Sequence, residues 1–129
     1  MYGNRIKFID NLAFVGVGRN LTRLNLGANK LTAVPSRPLR DLSSLQRLQL
    51  HENRIAALLP EEFAAMGGES LDVLDLANNR VQQLPPRAFM SLKILNSLDL
   101  ERNIIESIHP FAFQGIEGKF RSLMKFYRV

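Results

Sequence analysis

The chain is predicted to fold as an α/β solenoid, with short parallel strands stacked on one face and irregular or short helical segments closing the other. Three observations predict it. An apolar pattern recurs at intervals of 24, 26 and 24 residues. An asparagine holds a constant place in every copy. Within a copy, the apolar spacing matches neither a complete strand nor a helix: Leu74, Leu76, Val81 and Leu84 lie two, five and three residues apart.

Aligned on the asparagine, the strand-forming segments are Leu21-Thr-Arg-Leu-Asn-Leu26, Leu45-Gln-Arg-Leu-Gln-Leu50, Leu71-Asp-Val-Leu-Asp-Leu76 and Leu95-Asn-Ser-Leu-Asp-Leu100. In each, a Leu-x-Leu pair projects to one side and the residues between project to the other. A lone strand of this kind cannot bury its leucines, so copies must stack into a parallel sheet over one continuous core. The turn that follows holds Asn29, Asn53, Asn79 or Asn103, whose amide can satisfy turn backbone groups that would otherwise be buried unpaired. A further asparagine, Asn4, extends this expected ladder to five rungs. The outer half of each copy carries a second apolar pair: Val34 and Leu39, Leu58 and Phe63, Leu84 and Phe89, Ile108 and Phe113. The phenylalanines should stack as a spine along the wider edge. Residues 1–118 therefore divide into a half repeat at 1–20 and repeats at 21–44, 45–70, 71–94 and 95–118.

These copies, from residue 4 to about 116, resemble the leucine-rich repeat family. The late phenylalanines resemble its typical subclass, found mostly in animal extracellular proteins such as chaoptin-like adhesion proteins, Toll-type receptor ectodomains and small leucine-rich proteoglycans. The resemblance implies a right-handed, horseshoe-shaped solenoid. Its concave side would be a short parallel sheet, and its convex side irregular, 3-10 or short helical. The chain departs from the pattern in three places. It has no cysteine, and so none of the usual cysteine-rich caps. Leu39 stands where later copies have phenylalanine, and Gly67-Gly68 adds two residues before Leu71, read as a loop bulge that leaves the sheet undisturbed.

The net charge of +5 is unevenly placed. Residues 1–118 hold 13 Lys or Arg and all 12 Asp or Glu; residues 119–129 hold Lys119, Arg121, Lys125 and Arg128 and no acid. The nearly neutral body argues against nucleic acid as a partner. No run of apolar residues is long enough for a membrane span, and no signal peptide is read at the start. The basic tail, 119–129, fits a fifth copy neither from Phe120 nor from Leu123, since each choice buries a cation. Phe120, Leu123, Met124 and Tyr127 have helical spacing, which reads as a helical cap on the open end. Two alternatives stay open: a membrane-surface or calmodulin-like segment, and sequence past the end of an authentic exon at Gly118-Lys119. With the start in mid-repeat, the last makes the chain read as a fragment.

No catalytic constellation is read, so no enzyme, cofactor or metal is expected. His51 and His109 fall on different faces. Asp75 and Asp99, on adjacent strands, are conceivable as an acid pair but read as solvated carboxylates. The expected function is protein–protein recognition. By resemblance, it belongs to an extracellular or cell-surface adhesion or receptor protein with a protein ligand or receptor as partner. The candidate surface is the concave face: Arg23, Asn25, Arg47, Gln49, His51, Asp75, Asn78, Asp99 and Glu101, basic at one end and acidic at the other. Aromatic anchors are read as missing from it. Asn20-Leu21-Thr22 is a glycosylation sequon, relevant only to a secreted chain. The alternatives are a small cytosolic adaptor and a truncated product without independent function. The chain is expected as a monomer, or weakly self-associating through uncapped ends.

Overall fold

The computed structural model describes residues 1–66 and 68–116 and the backbone of 124–125. Its main sheet is built from β1 (Arg23–Asn25), β2 (Arg47–Gln49), β3 (Val73–Asp75) and β5 (Ser97–Asp99), all parallel. The register places equivalent repeat positions side by side, with Leu24, Leu48, Leu74 and Leu98 forming one inward row. Each strand is three residues long. Backbone stacking continues past it, however. Leu26 donates to Gln49 O, Leu50 to Asp75 O and Leu76 to Asp99 O, each at 2.8 Å.

The chain leaves the sheet through a left-handed residue. Ala28, Glu52, Asn78 and Arg102 have φ between 53° and 54°, and Gly3 fills the same place in the half repeat at 73°. Left-handed backbone is costly for residues with a Cβ, least so for asparagine. The cost is tolerated because the amide of this residue bonds the next copy: Ala28 to His51 O at 3.0 Å, Glu52 to Ala77 O and Asn78 to Glu101 O at 2.9 Å.

The asparagine that follows lies inside the turn, 7% exposed at Asn29, Asn53 and Asn79 and 8% at Asn103. Each amide serves two copies. Asn79 Nδ2 donates to Leu76 O in its own copy at 3.1 Å and to Leu50 O in the preceding one at 2.9 Å, while its Oδ1 accepts from Ile55 N at 3.0 Å. Asn53 and Asn103 repeat the arrangement. Asn4 makes the local bond, from Nδ2 to Met1 O at 3.1 Å, and is exposed.

The convex side is less uniform. It holds a four-residue helix α1 (Ser36–Leu39), a six-residue helix α2 (Pro60–Ala65), a 3-10 turn at Gly68–Ser70, and a two-stranded parallel ladder of β4 (Gln83–Leu84) with β6 (Ser107–Ile108). Proline opens α2, where a missing N–H costs nothing. The phenylalanine spine runs inside this edge, with ring centroids 5.6 Å apart for Phe63 and Phe89 and 6.0 Å for Phe89 and Phe113. Leu39 is fully buried one copy earlier. The 3-10 turn absorbs the extra residues on this side, so β2 and β3 pair without a break. A Cβ on Gly68 would lie 2.7 Å from Leu92 Cδ2, so the turn packs directly on the next copy.

The tail corrects an expectation. Met124–Lys125 form a strand, β7, parallel to β5, with Met124 opposite Leu98 and Lys125 opposite Asp99. At these two residues the chain extends the sheet and does not form the helical cap read from 119–129. The register explains why it was missed. Met124 stands opposite Leu98, a register offset by one from the Phe120 assignment, which puts Leu123 there, and by two from the Leu123 assignment, which puts Phe126 there. The remainder of the tail lies outside the described residues.

Candidate binding face on the concave sheet

Three columns of side chains cross the concave face. The first is Arg23, Arg47, Val73 and Ser97. The second is Asn25, Gln49, Asp75 and Asp99. Just past the strands runs a third, Gly27, His51, Ala77 and Glu101, aligned by the stacking bonds of the neighbouring turn residues. Arg23 and Arg47 are exposed near one end, and Glu101 is exposed near the other.

The second column has a structural task as well. Asn25 Oδ1 accepts from Gly27 N at 2.8 Å, Asp75 Oδ1 from Ala77 N at 3.0 Å, and Asp99 Oδ1 from Glu101 N at 2.9 Å. These are Asx turns, in which a short side chain caps its own backbone two residues on. One carboxylate oxygen of each aspartate is thus committed to its own turn. Asn78 lies in the left-handed turn after β3, not on the strand row to which the sequence assigned it.

His51 is the centre of a cluster that joins the columns. Its Nδ1 lies 3.1 Å from Asp75 Oδ2, within ion-pair distance but off the line a hydrogen bond needs. Its ring lies over Gly27, where a Cβ would come within 2.4 Å of Nε2. Tyr2 reaches it from the other side, with ring centroids 5.7 Å apart and the planes tilted by 37°. Tyr2 occupies the Gly27 and His51 column one copy earlier, two residues before its asparagine. Glycine between them leaves the gap across which the two rings meet. An aromatic anchor, 54% exposed, therefore stands on this face, contrary to the expectation that it has none. Aligning Asn4 with Asn29 and Asn53 was the signal that could have placed it.

His109 is separate from this site. It follows β6 on the convex side, where its Nδ1 accepts from Phe111 N at 3.0 Å. Among the described residues, no three His, Asp or Glu side chains come together as a metal site. No helix there is long and apolar enough to cross a membrane. Asn20 is exposed, just before β1.

A stacked parallel sheet with its outer face open, closed by an asparagine ladder and a phenylalanine spine, defines a class of repeat solenoid. The model of the family described as leucine rich repeat matches residues 2–55, 19–67 and 69–118. The chain belongs to the leucine-rich repeat family, a family of protein–protein interaction modules. It is 39% identical over 72 residues to the human protein "Leucine-rich repeats and immunoglobulin-like domains protein 1", covering 56% of this chain and 6% of that one. Its fold is similar to that in "Structure of the Toll - Spatzle complex, a molecular hub in Drosophila development and innate immunity", with a TM-score of 0.79 and 24% identity over 95% of this chain and 15% of the other. The chain thus spans a small part of the length of each relative.

Proposed function

We propose that the chain is the recognition portion of an extracellular or cell-surface adhesion or receptor protein, binding a protein partner through the concave sheet. The observation that carries this reading is the open face itself. Arginines at one end with the Tyr2–His51 pair beside them, and carboxylates at the other, combine steering charge with an aromatic anchor. The human relative's name joins such repeats to immunoglobulin-like domains, which supports this setting. In such a setting Asn20 would be a glycan acceptor at the margin of the sheet, away from the anchor. The activity is binding alone, with no cofactor.

The test is to screen the folded chain against a panel of displayed ectodomains and then to measure variants on the partner found. Arg47→Glu and Asp99→Lys are each expected to weaken binding by roughly tenfold, the scale of losing one close interfacial charge pair. Gly27→Val is expected to weaken it too by pushing the His51 ring aside. Binding unchanged by all three would move the site off the concave face.

A further inference from the structure

The residue after each ladder asparagine forms a column of its own, reading Arg5, Lys30, Arg54 and Arg80 and ending at Ile104. Backbone bonds assemble it. The Lys30 amide donates to Ile6 O and the Arg54 amide to Leu31 O at 2.8 Å, and the Arg80 amide to Ile55 O at 2.9 Å. Successive copies therefore stand at about the spacing of neighbouring strands, ~4.8 Å, and the four cations line one flank over roughly 15 Å. Arg5, Arg54 and Arg80 are exposed and Lys30 is half-buried. Among the described residues none of the four has an ion-pair partner; the pairs formed there are Arg40–Asp41 and His51–Asp75. The near neutrality of the body conceals this stripe, because its acids lie elsewhere. Glu52 and Glu106 are the acids closest to it in the repeat, and Lys7 adds a further cation at its start.

We propose that this flank binds a linear sulfated polysaccharide. Unpaired like charges held a few ångströms apart repel one another, and a polyanion with closely spaced charges relieves that repulsion. Guanidinium forks suit oxyanions of this kind. Along Lys30, Arg54 and Arg80 the bordering residues, Ala28, Glu52 and Asn78 on one side and Thr32, Ala56 and Gln82 on the other, are small, polar or acidic, and the exposed aromatics Tyr2 and Phe8 lie only at the Arg5 end. Those bordering residues offer no aromatic platform for stacked bases and no apolar pocket for a protein anchor. The flank reads charge density along a line, which is the feature a sulfated chain carries.

The test uses heparin as the probe with the full chain, in titrations at about 0.15 M salt and across a salt series. Affinity is expected to fall as salt rises, since cations on the stripe displace counterions from the polyanion. Arg54→Glu with Arg80→Glu is expected to weaken binding roughly tenfold or more, because charge-assisted contacts are replaced by repulsion. Arg54→Gln with Arg80→Gln should lose less, and it stands in if the reversed pair unfolds by circular dichroism. Glu52→Gln should tighten binding. Arg19→Glu with Lys93→Glu makes the same net change away from the stripe and should matter little. Neutralising Lys119, Arg121, Lys125 and Arg128 should also spare most of the affinity. The proposal is overturned if the Arg19 and Lys93 variant loses as much as the stripe variant, or if binding follows the tail. It is equally overturned if single-stranded DNA or polyglutamate of matched charge competes as well as heparin.

Discussion

The strand side and the convex side of this solenoid obey different rules. On the strand side, every complete copy has a three-residue strand, a left-handed residue at the same place and a buried asparagine after it. On the convex side, the copies carry a four-residue helix, a six-residue helix with an added 3-10 turn, or a two-residue strand at an earlier position in the copy. The difference lies in the kind of force that joins neighbouring copies. Hydrogen bonds are directional, and a buried one left unmade is expensive, so the strand side admits little variation. Apolar packing depends on volume, so Leu39 can stand in the row of phenylalanines, and extra residues can be taken up beside Gly68.

Substitutions at the two sides should separate these forces. Asn79→Ala removes donors to Leu50 O, Leu76 O and Ala77 O and the acceptor for Ile55 N. With each orphaned group costing about 1–3 kcal/mol, the loss should be of order 3 kcal/mol or more, the largest in the set. Phe89→Leu, which reproduces on the convex side what Leu39 already does, should cost about 1 kcal/mol. Chemical denaturation of both variants measures the ratio. Equal losses would mean that the ladder is no more demanding than the spine.

A smaller effect probes the left-handed turn. Arg102 holds φ at 53° with a Cβ, and Asn78 holds 54° with a side chain that tolerates it. Arg102→Gly should raise stability by about 0.5 kcal/mol, and Asn78→Gly by less, because glycine relieves strain only where strain exists. Thermal unfolding of the pair decides this, and a fall in stability for Arg102→Gly would show that its side chain matters more than its backbone.

The smallest effect belongs to α2. Burial raises the pKa of Glu62 above the ordinary glutamate value, with the neighbouring charge of Glu61 adding to it and the hydrogen bond from the Leu59 amide opposing it. The folded state thus holds this proton more tightly than the unfolded state. Its contribution is fully present below the unfolded pKa and is lost as pH rises through the folded one. Glu62→Gln should therefore be slightly more stable than the parent at neutral pH. The gap should close in acid, where Glu62 is itself protonated. Unfolding curves at both pH values measure it, and a gap that widened in acid would reverse the sign.

Particular residues show how far the sequence reaches. Leu24, Leu48, Leu74 and Leu98, the four buried asparagines and the late phenylalanines repeat at one phase, so alignment alone puts each in its row. Tyr2 was overlooked because the first copy is incomplete and its column is read from a single asparagine. The Asx turns of Asn25, Asp75 and Asp99 were overlooked because an outward polar residue on a strand looks the same in sequence whether it faces solvent or bends back to its own backbone. Met124–Lys125 eluded both phases tried for the tail, since two residues carry too little periodicity to reveal a register.

Repetition let the sequence by itself determine the family, the inward rows and the order of the stacked copies, because a pattern stated four times in phase has one arrangement that buries it. The tertiary structure alone decided what lies between copies. It brought Tyr2 and His51 together over Gly27, bent the aspartates onto their turns, and drew Arg5, Lys30, Arg54 and Arg80 into a line. The ring contact and the cation line join residues about 24 positions apart or more, the Asx turns residues only two apart, and all depend on side-chain direction or stacking distance, which the apolar pattern does not encode.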